Sequence, residues 1–154
     1  MEYLTREQLC AISIHRYDYL LKEKYGTTDV ENMIADDGTE FALDNADIFR
    51  QGVCQLFAYA LRETFGYTVY KIQSGISFHI FCKSEDGTEY IDVRGKTRSF
   101  EEFVNGSDLV DTDIDDSKEY TFDYSDLNDP FYDIGLLFAE AIIHDNPERY
   151  AEVT

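Results

Sequence analysis

Between Cys54 and Val93 the hydrophobic period of the chain changes from helical to alternating. This change restricts the fold more than any other feature. Cys54, Phe57, Ala58, Leu61 and Phe65 fall on one stripe of a helix that Gly66 is placed to end. Three short segments rich in β-formers follow: Tyr67 to Gln73, Ser77 to Lys83 and Thr88 to Val93. Glu85-Asp86-Gly87 joins the last two as a hairpin turn. Strands joined by such short turns pair antiparallel, because a parallel crossover needs a dozen or more residues. The expected class is therefore α+β, with helices packed on a small, mainly antiparallel sheet.

The flanks add helices. Thr5 and Gln8 form a capping box ahead of Leu9, Ile12, Tyr17, Leu20 and Leu21, which predicts a helix from Arg6 to about Lys24, stopped by Gly26. A short helix is expected over Asp29 to Ala35, then a turn at Asp37-Gly38. Ser99 caps a short helix to Val104, Glu119 to Tyr124 reads as a strand, and Asp129-Pro130 opens a helix through about Ile143. Pro147 starts a final turn. With no internal repeat, Gly/Ser linker or Pro-rich stretch, residues 1–154 read as one domain, with 105–118 as a candidate mobile acidic loop. A chain of 154 residues buries roughly 68–70% of its unfolded surface, enough for a core without disulfides or zinc.

Charge narrows the function. Asp and Glu number 32 against 13 Lys and Arg, a net charge of −19 at pH 7. That field repels phosphate, so direct binding to nucleic acid or to an anionic membrane through a general basic surface is excluded. The imbalance is concentrated: residues 104–154 hold 14 acids and two bases, whereas 54–103 are nearly neutral. No stretch is long and apolar enough for a spanning helix, and Met1 to Arg16 lacks the pattern of an export signal. Cys10, Cys54 and Cys82 are odd in number and widely spaced, which argues against a structural zinc site and for free thiols in a reducing cytoplasm.

Cys54, His79 and Asp92 together could carry chemistry. A thiol nucleophile needs a base for its proton and a carboxylate to orient that base. Cys54 follows Gly52-Val53 near a helix start, where backbone N–H groups and the helix dipole favour a thiolate. His79 lies mid-strand and Asp92 on the next strand. A three-residue loop would set Asp92 opposite Ile80, and a bulge at Gly87 would then bring it onto the face of His79. The plainer alternative is a continuous helix from Asp44 to Phe65 with Cys54 as a small buried hydrophobe. Cys10 and Cys82 read as core residues, and Cys82 shares the Phe78 and Ile80 face, away from His79. His15 and His144 read as surface or cap residues. Arg94 suits either an anionic part of a substrate or a structural ion pair.

The order Gly52-x-Cys54-x-x-x-Ala58-x-x-Leu61, then Phe65-Gly66-Tyr67-x-Val69, His79 and Asp86-Gly-x-x-Tyr90-x-Asp92, resembles the transglutaminase-like, papain-type thiol enzymes. The match spans about residues 50–95. The resemblance implies a papain- or transglutaminase-like core with Cys54 as nucleophile, His79 as base and Asp92 as its orienter. It implies acyl transfer from a protein or peptide amide: hydrolysis, deamidation or transamidation. It also implies an oxyanion donor beside the nucleophile's own N–H, for which Gln51 is the candidate.

A second reading rests on the acidic third. Asp111, Asp113 and Asp115 alternate, and Asp116 follows. The run fails the EF-hand pattern, since Asp116 stands where the loop glycine belongs and Phe122 where the bidentate Glu belongs. With Tyr120, Phe122, Tyr124 and Tyr132 interleaved, the carboxylates could copy a nucleic-acid backbone and occupy a basic protein partner, as small phage inhibitors of restriction or CRISPR systems do. Neither reading calls for a metal or cofactor.

Overall fold

Gly75 and Ile76 make a two-residue turn that sets the register of the first strand pair. Strand β1 (Thr68–Ser74) pairs antiparallel with β2 (Ser77–Lys83), from Ser74 opposite Ser77 to Thr68 opposite Lys83. The turn needs a positive φ at its first position, and Gly75 supplies it at +62°. In this computed structural model residues 3–12, 16–28, 46–50, 53–105, 109, 112–122 and 130–151 are described, with 16 and 130–132 described by backbone alone. Two further strands, β3 (Tyr90–Asp92) and β4 (Gly95–Thr97), extend the sheet on one side, and β5 (Lys118–Glu119) adds to β1 on the other. The order is β4-β3-β2-β1-β5 and every pairing is antiparallel.

Both sheet faces are covered. Val69, Ile80, Cys82, Ile91 and Val93 pack against helix α3 (Cys54–Phe65) and, beyond it, the helix α5 that spans Pro130–Asp145. On the other face Ile72 and Phe81 pack with Phe103 of helix α4 (Phe100–Val104) and with Leu109, flanked by Tyr3, Tyr70 and Tyr90. The β2 residues from His79 to Cys82 are thus all buried. The fold is mixed α+β with a five-stranded antiparallel sheet, as expected for the class.

Several boundaries differ from expectation. The first helix is broken into α1 (Arg6–Cys10) and α2 (Arg16–Tyr25). The Thr5–Gln8 capping box starts α1, but Ala11 bonds to Gln8 and Ile12 to Leu9, tightening the last turn. The Ile12-Ser13-Ile14 run has weak helix propensity. Cys10 is consequently exposed rather than in the core, because a single helical turn leaves it on the outer side. The continuous helix from Asp44 is also absent. A 3₁₀ turn at Ala46–Arg50 precedes α3, and Val53, at φ −125° and ψ 26°, is not helical. Strand β4 had no expectation behind it, since Gly95-Lys96-Thr97 has little β character. The last helical turn, α6 (Pro147–Tyr150), starts at Pro147 as expected. The helix expected over 29–35 and the turn at 37–38 lie outside the described residues.

Candidate active site

Helix α3 places its first residue, Cys54, against strand β2. The Ile80 backbone N–H donates to the Cys54 sulfur at 3.4 Å. One turn on, the Cys82 thiol donates to the Ala58 carbonyl, also at 3.4 Å. The helix therefore runs alongside β2 in the same direction, with its N-terminus over Ile80. No side chain caps that end and no acid occupies the first turn, so the positive end of the helix dipole falls on the thiol unopposed.

His79 and Asp92 meet through a register that differs from expectation by one residue. Cys82 pairs with Ile91 and Lys83 with Tyr90, and continuing that ladder sets Asp92 across from Phe81, not Ile80. Residues facing each other across an antiparallel pair share a face, and so do residues two apart. Asp92, Phe81 and His79 consequently share one face without a bulge. The cause is a four-residue connection: the Ser84 N–H bonds to the Glu89 carbonyl, and Gly87 bonds back to Ser84. Asp86 fixes the turn by accepting from the Ser84 hydroxyl and from the N–H and hydroxyl of Thr88.

His79 Nε2 lies 3.0 Å from Asp92 Oδ2, and both side chains are buried. An ionised carboxylate only accepts, so Nε2 carries the proton and Nδ1 is left for Cys54. The imidazole stacks on Phe81 with ring centres 6.0 Å apart and leans on Phe103 at 5.8 Å. These walls fix its plane.

The electrostatics point toward an ion pair. Burial pushes the Cys54 thiol up, but the His79 hydrogen bond and charge, with the Ile80 N–H, bring it below its ordinary value. Burial pulls His79 down, yet its hydrogen bonds to Asp92 and Cys54 and the charges of those groups carry it up to about 9. Burial raises Asp92, but the Arg94 charge and the His79 and Arg94 hydrogen bonds hold it well below the usual carboxylate range. Cys82, buried without such partners, is pushed well above an ordinary thiol. The two buried cysteines thus diverge because only one has an imidazole beside it.

Arg94 was only half legible in the sequence. Its Nη2 donates to Asp92 Oδ2 at 2.6 Å and to the Phe103 carbonyl at 3.0 Å, and its backbone N–H donates to Asp92 Oδ1 at 2.8 Å. Of its two readings the structural ion pair is the one present. Tyr3 lies over the guanidinium at 4.3 Å, and the Leu4 N–H donates to the Arg94 carbonyl at 2.8 Å. From the other side the Tyr150 hydroxyl donates to the Val93 carbonyl at 2.8 Å. The signal in the sequence was Asp-Val-Arg-Gly, an aspartate two residues before the N–H it accepts and a glycine closing the turn. The Ile80 N–H contact had no signal in the sequence. A cleft of about 210 Å³ opens beside Arg94, lined in part by Tyr3, Arg6, Arg50 and Glu102. Cys54 and His79 are not among its lining residues.

The other expected site residues are scattered. Gln51 and Asp111 lie outside the described residues. Asp113 and Asp116 are exposed. Asp115 is engaged internally, accepting from Lys83 Nζ at 2.8 Å, the Tyr90 hydroxyl at 2.9 Å and the Ser117 N–H at 3.0 Å. Partial burial raises its carboxyl, but the bonds from Lys83, Ser117 and Tyr90 hold it at about 2. Leu109, in the same acidic segment, is buried against Phe81 and Phe103. Among the described residues no group of three or more His, Cys, Asp or Glu side chains is placed to hold a metal ion, and no helix is long and apolar enough to cross a membrane.

Comparison with known proteins returned no matching family model, no matching curated protein and no matching solved structure.

Proposed function

We propose that this chain is a thiol-dependent acyl-transfer enzyme with Cys54 as nucleophile, His79 as acid and base, and Asp92 as the group that orients the imidazole. The reading includes kinship of the core with the transglutaminase-like, papain-type enzymes and work in the cytoplasm on a protein or peptide amide. The observation that carries it is the buried His79–Asp92 hydrogen bond at 3.0 Å, with Cys54 at the start of α3 coupled to the same imidazole. A purely structural cysteine has no need of an oriented imidazole.

The chemistry follows from those positions. The Cys54 thiolate attacks the amide carbonyl carbon, and the carbonyl electrons move to oxygen. Collapse of that intermediate breaks the C–N bond, and the His79 imidazolium gives its proton to the departing amine. A thioester on Cys54 remains. Water or a second amine, deprotonated by His79, then attacks it and releases the acid or new amide, with the proton returned to the thiol–imidazole pair. Asp92 stays ionised throughout, held so by Arg94, and keeps Nε2 protonated so that Nδ1 does the proton transfer.

The test is acylation by p-nitrophenyl esters of blocked amino acids. Stopped-flow should show a burst of nitrophenolate close to one equivalent per chain, and mass spectrometry should find the acyl group on Cys54. Cys54→Ala should abolish the burst while leaving the melting temperature within a few degrees. A burst that survives Cys54→Ala, or no burst with any ester, would overturn the assignment.

A further inference from the structure

Helix α3 covers only part of its face of β2, and the uncovered part begins beside the nucleophile. Cys54 sits at Ile80 and Ala58 at Cys82, so the helix leads away from the β1–β2 turn. Along that face exposure rises from 0% at Cys82 through 3% at Ile80 to 48% at Phe78, and Ile76 in the turn beyond is 98% exposed. Phe78 precedes Ile80 by two residues, about 7 Å along the strand, on the side beyond the start of the helix. Lys71, paired with Ile80 across the sheet, places its ammonium 4.6 Å from the Phe78 ring centre and steadies the ring. Scattered exposed apolar residues are ordinary. Here, however, two of the four large exposed hydrophobics among the described residues lie together at the open end of the nucleophile's helix.

We propose that Phe78, with Ile76 beyond it, forms the subsite that takes a large apolar side chain of an extended acyl-donor peptide, next to the carbonyl that Cys54 attacks. The proposal rests on the thiol-enzyme reading above and names the substrate class of that site. An extended peptide whose carbonyl reaches the start of α3 has its neighbouring side chain within reach of Phe78. Burying that side chain against the ring removes apolar surface from both partners. The Lys71 ammonium over the ring disfavours a basic side chain at the same place.

The probes are N-acetylated aminoacyl chloromethyl ketones carrying Phe, Leu, Gly or Lys side chains. The thiolate attacks the methylene carbon, a thioether forms and chloride leaves, so each rate reports recognition at the reacting sulfur. The full-length chain carries Cys10→Ser to remove the exposed thiol, and iodoacetamide, which has no side chain to recognise, measures intrinsic reactivity. The Phe probe should inactivate at least about tenfold faster than the Gly probe, with Leu between them and Lys no faster than Gly. Phe78→Thr, which keeps a strand-forming residue at a half-exposed position, should bring the Phe/Gly ratio below about three while the iodoacetamide rate stays unchanged. Ile76→Ser, at a fully exposed position, should lower the ratio by a smaller factor. A Phe/Gly ratio unchanged in both variants, with Cys54 still reactive toward iodoacetamide, would overturn the subsite alone. A Cys54 no more reactive toward iodoacetamide than glutathione would overturn the enzyme reading, and the subsite with it.

Discussion

The Asp92–Arg94 pair shows how one residue can set the chemistry of another two links away. Arg94 holds Asp92 ionised, ionised Asp92 holds Nε2 of His79 protonated, and His79 lowers Cys54. The guanidinium and the carboxylate are both buried, so removing one leaves the other charged and unpaired. Arg94→Met should therefore cost about 3–5 kcal/mol at neutral pH, read from urea unfolding. The sign of its pH dependence follows from Asp92, whose carboxyl is depressed in the fold. Its contribution is fully present above the unfolded carboxylate value near 4 and is lost as pH falls through the folded value. The gap between wild type and Arg94→Met should narrow below about pH 4. A gap that is constant with pH would mean that Arg94 acts through packing on Tyr3 and Phe103 alone. The chemical trio of Cys54, His79 and Asp92 was legible from residue type and order. The contacts that tune it were not, because Ile80 contributes only a backbone N–H and Arg94 acts through a turn whose closure the sequence did not specify.

At the level of elements, the site depends on two turns and one helix end. The strands β1 and β2 matched expectation closely, because two runs of β-formers separated only by the tight turn at Gly75 leave few alternative registers. The β2–β3 connection did not. Counting Glu85-Asp86-Gly87 as the loop ignores the bonds of Asp86 to Thr88, which add a residue to the turn and move Asp92 to the other face. A one-residue slip inverts every side chain, so the most consequential error in the expected fold was also the smallest. The β3–β4 turn is closed by Gly95 at φ +116°, where an added Cβ would also lie 3.3 Å from the Arg149 side chain. Gly95→Ala should cost about 1–3 kcal/mol of stability and slow Cys54 alkylation, because the same turn aims Asp92 and Arg94. Loss of stability with an unchanged alkylation rate would separate the turn from the site.

Across the whole molecule, segments distant in sequence converge on the Asp92 turn. Tyr3 and Leu4 approach it from one side and Tyr150 from the other. Neither contact could be foreseen, since nothing local links residues 57 positions apart, as for Tyr150 and Val93, or 90 apart, as for Leu4 and Arg94. The charge of −19 is the second global property. Self-repulsion opposes the compact state and salt screens it. Raising NaCl from 20 to 500 mM at pH 7 should therefore raise the melting temperature by about 2–4 °C, the shift expected for roughly 1 kcal/mol in a chain of this size. A melting temperature that falls with salt would mean that attractive pairs such as Lys83–Asp115 outweigh the repulsion.

The central claim is that His79 activates Cys54, and the most direct measurement is the thiol pKa. Iodoacetamide labelling of Cys54 would be followed from pH 4 to 10 in a Cys10→Ser, Cys82→Ser background, then repeated with His79→Ala and with Asp92→Asn. The account predicts a pKa below the free-cysteine value of about 8.5, rising when His79 is removed. It also predicts a second, upward step in the labelling rate near pH 9, where His79 loses its proton and leaves a more basic thiolate without its counter-charge. In Asp92→Asn that second step should move to lower pH, since the Asp92 bond helps to hold the proton on the ring. A thiol titrating at or above the free value, and indifferent to His79→Ala, would contradict the account.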